Sequence, residues 1–394
     1  MMSREKIVLA YSGGLDTSIA IHWLKEEKGL DVVAVLVDVG QGRELQSLAK
    51  KAAKIGAVKT YCIDAKEEFV SGYIWPALKA NAVYEGKYLL ATALSRPLIA
   101  KKLIEVARRE KASTVAHGCT GKGNDQVRFD MAVMTLAPNL RIIAPLREWE
   151  LKTREQEIEY AQANGIPIPV KKKSSYSIDE NLWGVSVECG VLEDPEVAPP
   201  EDAYQWTQNP LKAPRKSLEI DIAFQRGIPY GLNGTKMEPI RLIQRLNELG
   251  SRSGIGRVDS IENRLVGIKS REIYEAPAGT ILLQAHRELE ALTLDRELSQ
   301  LKESLSAKYA QIVYNGQWFT PLREALDGFM EKTQYRVSGV VRMRLYAGFA
   351  TCVGRNSHYS RYQKSMATYE EGDQFDRKIA EGFIKVWAMP YKDQ

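Results

Sequence analysis

Over residues 1–165 the apolar positions fall into short continuous runs, separated by longer stretches in which they recur every three or four residues. The runs at 6–11, 31–39, 59–64, 113–118 and 141–146 are rich in Val, Ile and Ala and read as apolar on both faces. That is the pattern of parallel strands covered by helices on both sides. The stretches between them, 19–28, 89–110 and 126–136 among them, carry helical spacing. Such alternation predicts an α/β domain built on a doubly wound parallel sheet. Its ligands are expected beyond the C-terminal ends of the strands, where the strand order reverses.

The pattern changes after residue 165. Gly165-Ile166-Pro167-Ile168-Pro169 ends the last helix, and 171–177 reads as a connecting loop. Five prolines lie from Pro195 to Pro214, a density no regular element survives, so a long ordered loop or flap is expected. Farther on, strand patterns (218–225, 334–345) mix with helical ones (238–249, 279–308), the mark of an α+β second domain. Leu282, Ala285, Leu289, Leu292, Leu298, Leu301 and Leu305 keep helical spacing and read as one core stripe. In the tail, 374–387, Phe375, Ile379, Phe383 and Trp387 share one helix face. Such a helix docks on its own domain or grips a neighbouring subunit, and spacing does not choose between them. These shifts divide the chain into a nucleotide-binding domain (1–168), a second domain (169–360) and a C-terminal tail (361–394).

Composition narrows the class. A chain of 394 residues is too long for one simple core, and 44% hydrophobic with 27% charged residues is ordinary for a globular protein. No apolar run is long enough to span a bilayer, and Ser3-Arg4-Glu5-Lys6 runs straight into the first strand without a signal sequence. Cys62, Cys119, Cys189 and Cys352 are scattered, with neither metal-ligand spacing nor a disulfide framework, so a reducing, cytoplasmic setting is expected. The net charge of +5 is mild. The basic run Lys171-Lys172-Lys173 lacks interleaved aromatics and reads as a solvated linker, so neither nucleic acid nor membrane is expected as a partner.

The chemistry concentrates in two turns. After the first strand comes Ala10-Tyr11-Ser12-Gly13-Gly14-Leu15-Asp16-Thr17-Ser18. Strand, glycine-hydroxyl turn and helix, in that order, present backbone N–H groups to an anion. The glycines permit unusual dihedrals and close approach, and the hydroxyls of Ser12, Thr17 and Ser18 add donors. Asp16 would repel phosphate unless a metal ion lies between them. The plain alternative is a sharp strand-to-helix turn with no ligand. After the fourth strand comes His117-Gly118-Cys119-Thr120-Gly121-Lys122-Gly123-Asn124-Asp125-Gln126-Val127-Arg128. A capped helix start explains its glycines and Asn124 or Asp125. It does not explain the added Thr, Lys and Arg. Asp125 can take an amino group, and Arg128 can grip a carboxylate with two parallel bonds.

The first turn is neither a Walker A loop nor a dinucleotide fingerprint. It resembles the PP-loop of ATP pyrophosphatases, which split ATP between its α and β phosphates. Both turns, with Tyr88-Leu89-Leu90-Ala91-Thr92, Ser95-Arg96-Pro97, Tyr176 to Trp183, Ile261-Glu262-Asn263-Arg264 and Ser270 to Thr280, resemble the argininosuccinate synthase family over nearly the whole chain. That resemblance implies an AMP-forming ligase that joins citrulline to aspartate, with ATP as co-substrate and Mg²⁺ carried mainly on its phosphates, in a homotetramer serving arginine biosynthesis. It implies ATP at Ala10 to Ser18, Val37 (through its backbone), His117 and Gly118. It implies aspartate at Thr120, Asn124 and Asp125, and citrulline at Tyr88, Asn124, Arg128, Ser177, Ser186, Glu262 and Tyr274. Asp16 would orient the metal shell and Asp125 would receive or orient the aspartate amine. Lys122 is a further candidate for neutralising phosphate. One departure is Ala93, where some members carry Ser, so a hydroxyl contact to citrulline is missing. The alternatives are another PP-loop enzyme adenylating a different carbonyl, and a sensor that holds ATP without turnover. His22 and His286 lie in helical patterns and read as structural. Glu262 could instead pair with Arg264 on the surface.

Overall fold

The structure, a computed structural model, describes residues 4–42, 44–167 and 176–392. The boundary at 168/169 and the run Lys171-Lys172-Lys173 lie outside the described residues.

Strands β1 (Lys6–Ala10), β2 (Asp31–Asp38), β3 (Lys59–Asp64), β4 (Thr114–Ala116) and β5 (Arg141–Ile143) form one parallel sheet in the order β3-β2-β1-β4-β5. The expected doubly wound domain is present, with the order reversing at β1. Both glycine turns leave neighbouring strands there, because β1 pairs with β2 on one side and with β4 on the other. Four strands end earlier than their apolar runs, since the trailing residues already belong to the turns. β3 is not buried on both faces as expected: it is one edge of the sheet, and its residues are exposed or half-buried.

The helix Ala91–Glu110 packs against this sheet and also against the second part of the chain. That part holds two antiparallel sheets. One has the order β11-β12-β7-β6, from β6 (Ser177–Asn181), β7 (Gly184–Glu188), β11 (Arg257–Asn263) and β12 (Lys269–Glu275). The other has the order β10-β9-β8-β13-β14, from β8 (Leu218–Gln225), β9 (Ile228–Leu232), β10 (Thr235–Lys236), β13 (Gly339–Tyr346) and β14 (Phe349–Asn356). The expected strand at 334–345 begins later, because Gln334–Arg336 forms a 3₁₀ turn whose Gln334 side chain is buried.

The single helix expected at 279–308 is two, Pro277–Thr293 and Arg296–Tyr314. Asp295 ends the run by capping the second helix, accepting the Leu298 N–H at 3.0 Å. The break rotates the buried face. Leu282, Ala285 and Leu289 are buried, whereas Leu301 is half exposed and Lys302, Ser306 and Tyr309 take the inward positions. The expected stripe therefore holds for the first helix only.

The proline-rich segment is an ordered loop, with two short 3₁₀ turns at Glu201–Ala203 and Pro210–Lys212. Its anchor is the fully buried Glu275. The carboxylate accepts the N–H groups of Gln205 (2.6 Å), Trp206 (3.0 Å) and Thr207 (2.7 Å), and the Thr207 hydroxyl (2.6 Å). The tail helix spans Arg377–Trp387 and does not dock on its own chain: Ile379 is 69% exposed, Phe383 61% and Trp387 65%. Phe375 lies before the Asp376 cap, outside the helix.

Candidate active site

A cavity of about 430 Å³ lies between the two glycine turns and the β11-β12-β7-β6 sheet. Each wall follows from local sequence. In the first turn Gly13 has φ +80°, and a Cβ there would stand 2.5 Å from Leu48 Cδ2, so both dihedral and space demand glycine. Gly14 differs from expectation. Its φ of −69° and ψ of 177° suit any residue, so the backbone does not require glycine there. Ser12 Oγ accepts the Gly14 N–H (3.3 Å) and meets Thr17 Oγ1 (3.1 Å), while Tyr11 Oη meets Ser18 Oγ (3.3 Å). Lys51 donates to the Gly13 carbonyl at 2.8 Å. In the second turn a Cβ on Gly118 would meet Thr17 Cγ2 at 2.6 Å, so the two turns touch through a glycine.

Asp16 lines the cavity beside Glu157, a residue sequence reasoning did not single out. Burial raises the Asp16 carboxyl, and a hydrogen bond joins it to Glu157. Burial together with the Asp16 charge pushes Glu157 up to about 7. Burial thus holds both carboxyls of the pair above their ordinary range. His117 is buried. Its Nδ1 accepts the Cys119 N–H (3.2 Å), which leaves the proton on Nε2 to donate to Asp130 Oδ1 (2.8 Å). That fixes the ring and, through it, the turn. Lys122 is exposed and outside the cavity lining. Its carbonyl accepts from Arg264 Nη1 at 3.2 Å.

The opposite wall is one face of a strand alternation. Tyr274 pairs with Ser186, and Ser186 pairs with Asp179. With period 2, Ser177, Asp179, Ser186, Glu188, Glu272, Tyr274, Glu262 and Arg264 face one way and line the cavity. Ile178, Val185, Val187 and Ile273 face the other way, packing on Leu192, Ala203 and Trp206. Residues expected on separate segments are thus assembled by register.

Glu262 is buried and does not pair with Arg264. It accepts Tyr274 Oη on Oε2 (2.9 Å) and Tyr314 Oη on Oε1 (3.0 Å). Burial raises its carboxyl, with those hydroxyls and Arg128 opposing. Arg264 instead binds Glu188 and, at 2.9 Å, Glu272. Burial, then the charges of Glu188 and Glu262, push Glu272 up to about 8 despite that arginine. Tyr88 stacks on Tyr274 with centroids 4.0 Å apart. Its hydroxyl accepts the Thr92 N–H at 3.0 Å and so caps the Ala91–Glu110 helix. Ala93 is fully buried and off the cavity lining, so its missing hydroxyl leaves no gap in the wall.

Asp125 is held by two arginines, Arg96 Nε at 2.7 Å and Arg128 Nη1 at 2.8 Å. Arg96 also pairs with Asp179 across the cavity. Burial works against ionisation of Asp125, but the two guanidinium charges overcome it and hold the carboxyl down to about 2. A carboxylate held ionised between two guanidinium groups fits the expectation that Asp125 receives or orients an amine. Arg96 was missed as a site residue because its importance lies in long-range pairing, although it stands within Ser95-Arg96-Pro97. Arg128 is 3% exposed, yet its Nη2 has no hydrogen-bond partner. Such an atom on a cavity wall is built for an anionic ligand. Thr120 is exposed at the rim, and Val37 turns its carbonyl to Gln41 Nε2 (2.8 Å). His22 and His286 are off the lining, bonded to Tyr160 and to Asn81 and Gln334. Among the described residues no helix is long and apolar enough to cross a membrane, and all four cysteines are free.

Family models agree with this architecture. Residues 6–167 match the arginosuccinate synthase N-terminal HUP domain, and residues 176–394 match the arginosuccinate synthase C-terminal domain. The argininosuccinate synthase of Chlorobium phaeobacteroides (strain BS1) is 56% identical over 391 residues, covering 99% of this chain and 97% of its own. Those of Symbiobacterium thermophilum (55% over 392 residues, 99% and 98%) and Carboxydothermus hydrogenoformans (56% over 388 residues, 98% and 97%) are similar to the same extent. With a PP-loop sheet, a polar second wall and full-length relatives all in agreement, the chain belongs to the argininosuccinate synthase family.

Proposed function

We propose that this cavity condenses citrulline with aspartate, driven by ATP, in two steps. The ureido oxygen of citrulline attacks the α-phosphate of ATP, giving citrullyl-AMP and pyrophosphate. The aspartate amine then attacks the activated ureido carbon, loses a proton and expels AMP, leaving argininosuccinate. The observation that carries the reading is the buried, partnerless Arg128 Nη2 on the wall between the phosphate turn and the Glu262–Tyr274 pair. A guanidinium nitrogen left open there suits a substrate carboxylate. No protein nucleophile enters this scheme. The protein's part is positioning and neutralising charge.

The backbone N–H groups from Ser12 to Thr17 would hold the phosphates, with His117 and Gly118 closing the nucleotide side. Mg²⁺ suits this site only as a passenger on phosphate. Asp16 is the lone carboxylate of the turn, and among the described residues no cluster of three or more His, Cys, Asp or Glu could hold a metal ion. The metal would supply charge neutralisation of the phosphates, and Asp16 would face it. Citrulline would lie along Tyr88, Arg128, Ser177, Ser186, Glu262 and Tyr274. Aspartate would lie near Thr120 and Asn124, with Arg96 and Asp125 beside it, and Asn124 would reach citrulline as well. Pyrophosphate release should require citrulline, and AMP should appear only when aspartate is added as well. Release without citrulline would point to another PP-loop chemistry, and ATP binding with no release would point to a sensor.

The division at 1–168, 169–360 and 361–394, a cytoplasmic setting and a homotetramer belong to the same reading. The exposed faces of Ile379, Phe383 and Trp387 support assembly through the tail, since large apolar patches are rarely left to solvent on monomers. A chain ending at Gly372 is expected to lose oligomeric state by light scattering while still binding ATP. A truncated chain that remains a full tetramer would move the interface elsewhere.

A further inference from the structure

Tyr314 stands outside the cavity lining and is fully buried, yet it touches Tyr88, Asn124, Arg128 and Glu262 of that lining. It is the last residue of the helix Arg296–Tyr314. Gly316 follows with φ +73°, and a Cβ there would lie 2.8 Å from the Arg128 Cα, so the chain end is pressed against the substrate wall. The ring stacks on Tyr84, with centroids 3.5 Å apart and planes 6° from parallel. The Arg128 guanidinium lies 4.9 Å from the ring centre, and its Nε donates to the Tyr314 carbonyl at 3.1 Å.

The hydroxyl is the point of interest. A phenol has one proton to give and lone pairs to accept with. Tyr314 Oη gives its proton to Glu262 Oε1 (3.0 Å) and accepts from Asn124 Nδ2 (2.7 Å). Asn124 Oδ1 in turn accepts the Leu265 N–H at 2.9 Å. This chain admits one orientation of the Asn124 amide. A flipped amide would set its NH₂ against the Leu265 N–H. It would also leave the phenol facing two acceptors with one proton. Asn124 begins the helix that carries Asp125 and Arg128, whereas Glu262 lies one residue before the end of a strand of the opposite wall. Through one oxygen, therefore, the two walls share a register.

We propose that Tyr314 is a positioning residue whose hydroxyl couples the aspartate and citrulline subsites, setting Glu262 and Asn124 in a single hydrogen-bonded chain. The inference rests on the subsite assignment above. Removing the hydroxyl should loosen both subsites together, while removing Tyr274 Oη, the other donor to Glu262, should loosen one.

Tyr314→Phe keeps the stacked ring, the contact with Arg128 and the backbone carbonyl, and loses the hydroxyl alone. It is expected to raise the KM values for citrulline and aspartate together, each about tenfold, as for a lost hydrogen bond to a charged group, with the ATP KM little changed. Tyr274→Phe is expected to raise the citrulline KM alone. Tyr309→Phe is the structural control. It sits on the same helix and donates to Asp327 at 2.6 Å, so its loss should lower the melting temperature and leave both KM values in place. A rise for citrulline alone in Tyr314→Phe overturns the coupling. So does a paired rise in Tyr309→Phe, which would make the effect general loosening. Glu262→Gln separates the two levels of the argument: if it leaves the citrulline KM unmoved, the subsite assignment itself fails.

Discussion

Gly14→Ala is expected to lower turnover by about 100-fold or more while the melting temperature stays close to that of the parent, the size of loss seen when one preorganised backbone donor is removed. The backbone at Gly14 is ordinary extended chain, with φ −69° and ψ 177°, so alanine adopts it without strain. The nearest heavy atom to the new Cβ is Ser12 Oγ at 3.3 Å, a hydroxyl that can turn aside. Alanine also restricts the unfolded chain, which offsets that crowding. Gly14 lines the cavity, so under the proposed function the added Cβ would crowd a phosphate brought up to the N–H groups of the turn. Gly13→Ala is the contrast. With φ +80° and Leu48 Cδ2 2.5 Å from the Cβ, it should lose stability as well as turnover. Pyrophosphate release beside a melting curve decides the matter. A folded Gly14→Ala protein with near-normal turnover would remove the turn from the phosphate site.

Asp125→Asn should raise the KM values for both amino-acid substrates and lower kcat. If Asp125 met aspartate alone, the change would report on aspartate alone. It is expected to report on both, because the same carboxylate holds Arg96 and Arg128, and the unpartnered nitrogen of Arg128 is the one proposed above for citrulline. A neutral amide accepts through one oxygen, so at least one guanidinium is released. Stability should follow a defined pH course. The folded carboxyl sits at about 2 against an ordinary 3.8, which corresponds to stabilisation of about 2 kcal/mol at neutral pH. A lowered carboxyl contributes above its unfolded value and loses that contribution as pH falls through its folded value. The melting gap between parent and Asp125→Asn should therefore be full at pH 7 and shrink as the pH drops from about 4 toward 2. A gap that stays constant from neutral pH into acid, or an unchanged citrulline KM, would count against the arginine clamp.

The sequence by itself determined the parallel sheet, the two glycine turns and their position at the strand ends. Those features are local: continuous apolar runs, Gly-Gly after a strand, and helical spacing are each read within a dozen residues. It also carried most residues of the polar wall, through motif spelling. It did not carry their arrangement. Ser177, Ser186, Glu262 and Tyr274 become one surface only because β6, β7, β12 and β11 pair in a register that a one-residue slip would turn inside out. Partner choice was likewise decided in three dimensions. Arg264 stands two residues after Glu262 yet binds Glu188 and Glu272, since the strand pairing brings those carboxylates to it while the tyrosine hydroxyls claim Glu262. The break at Asp295 was missed because the leucine spacing runs on through it, and the capping bond to Leu298 outweighed the periodicity. Tyr314 was invisible for a related reason. Nothing near it in the chain marks it, and its role comes from Asn124 and Glu262, 190 and 52 residues away, which meet only after both walls have folded.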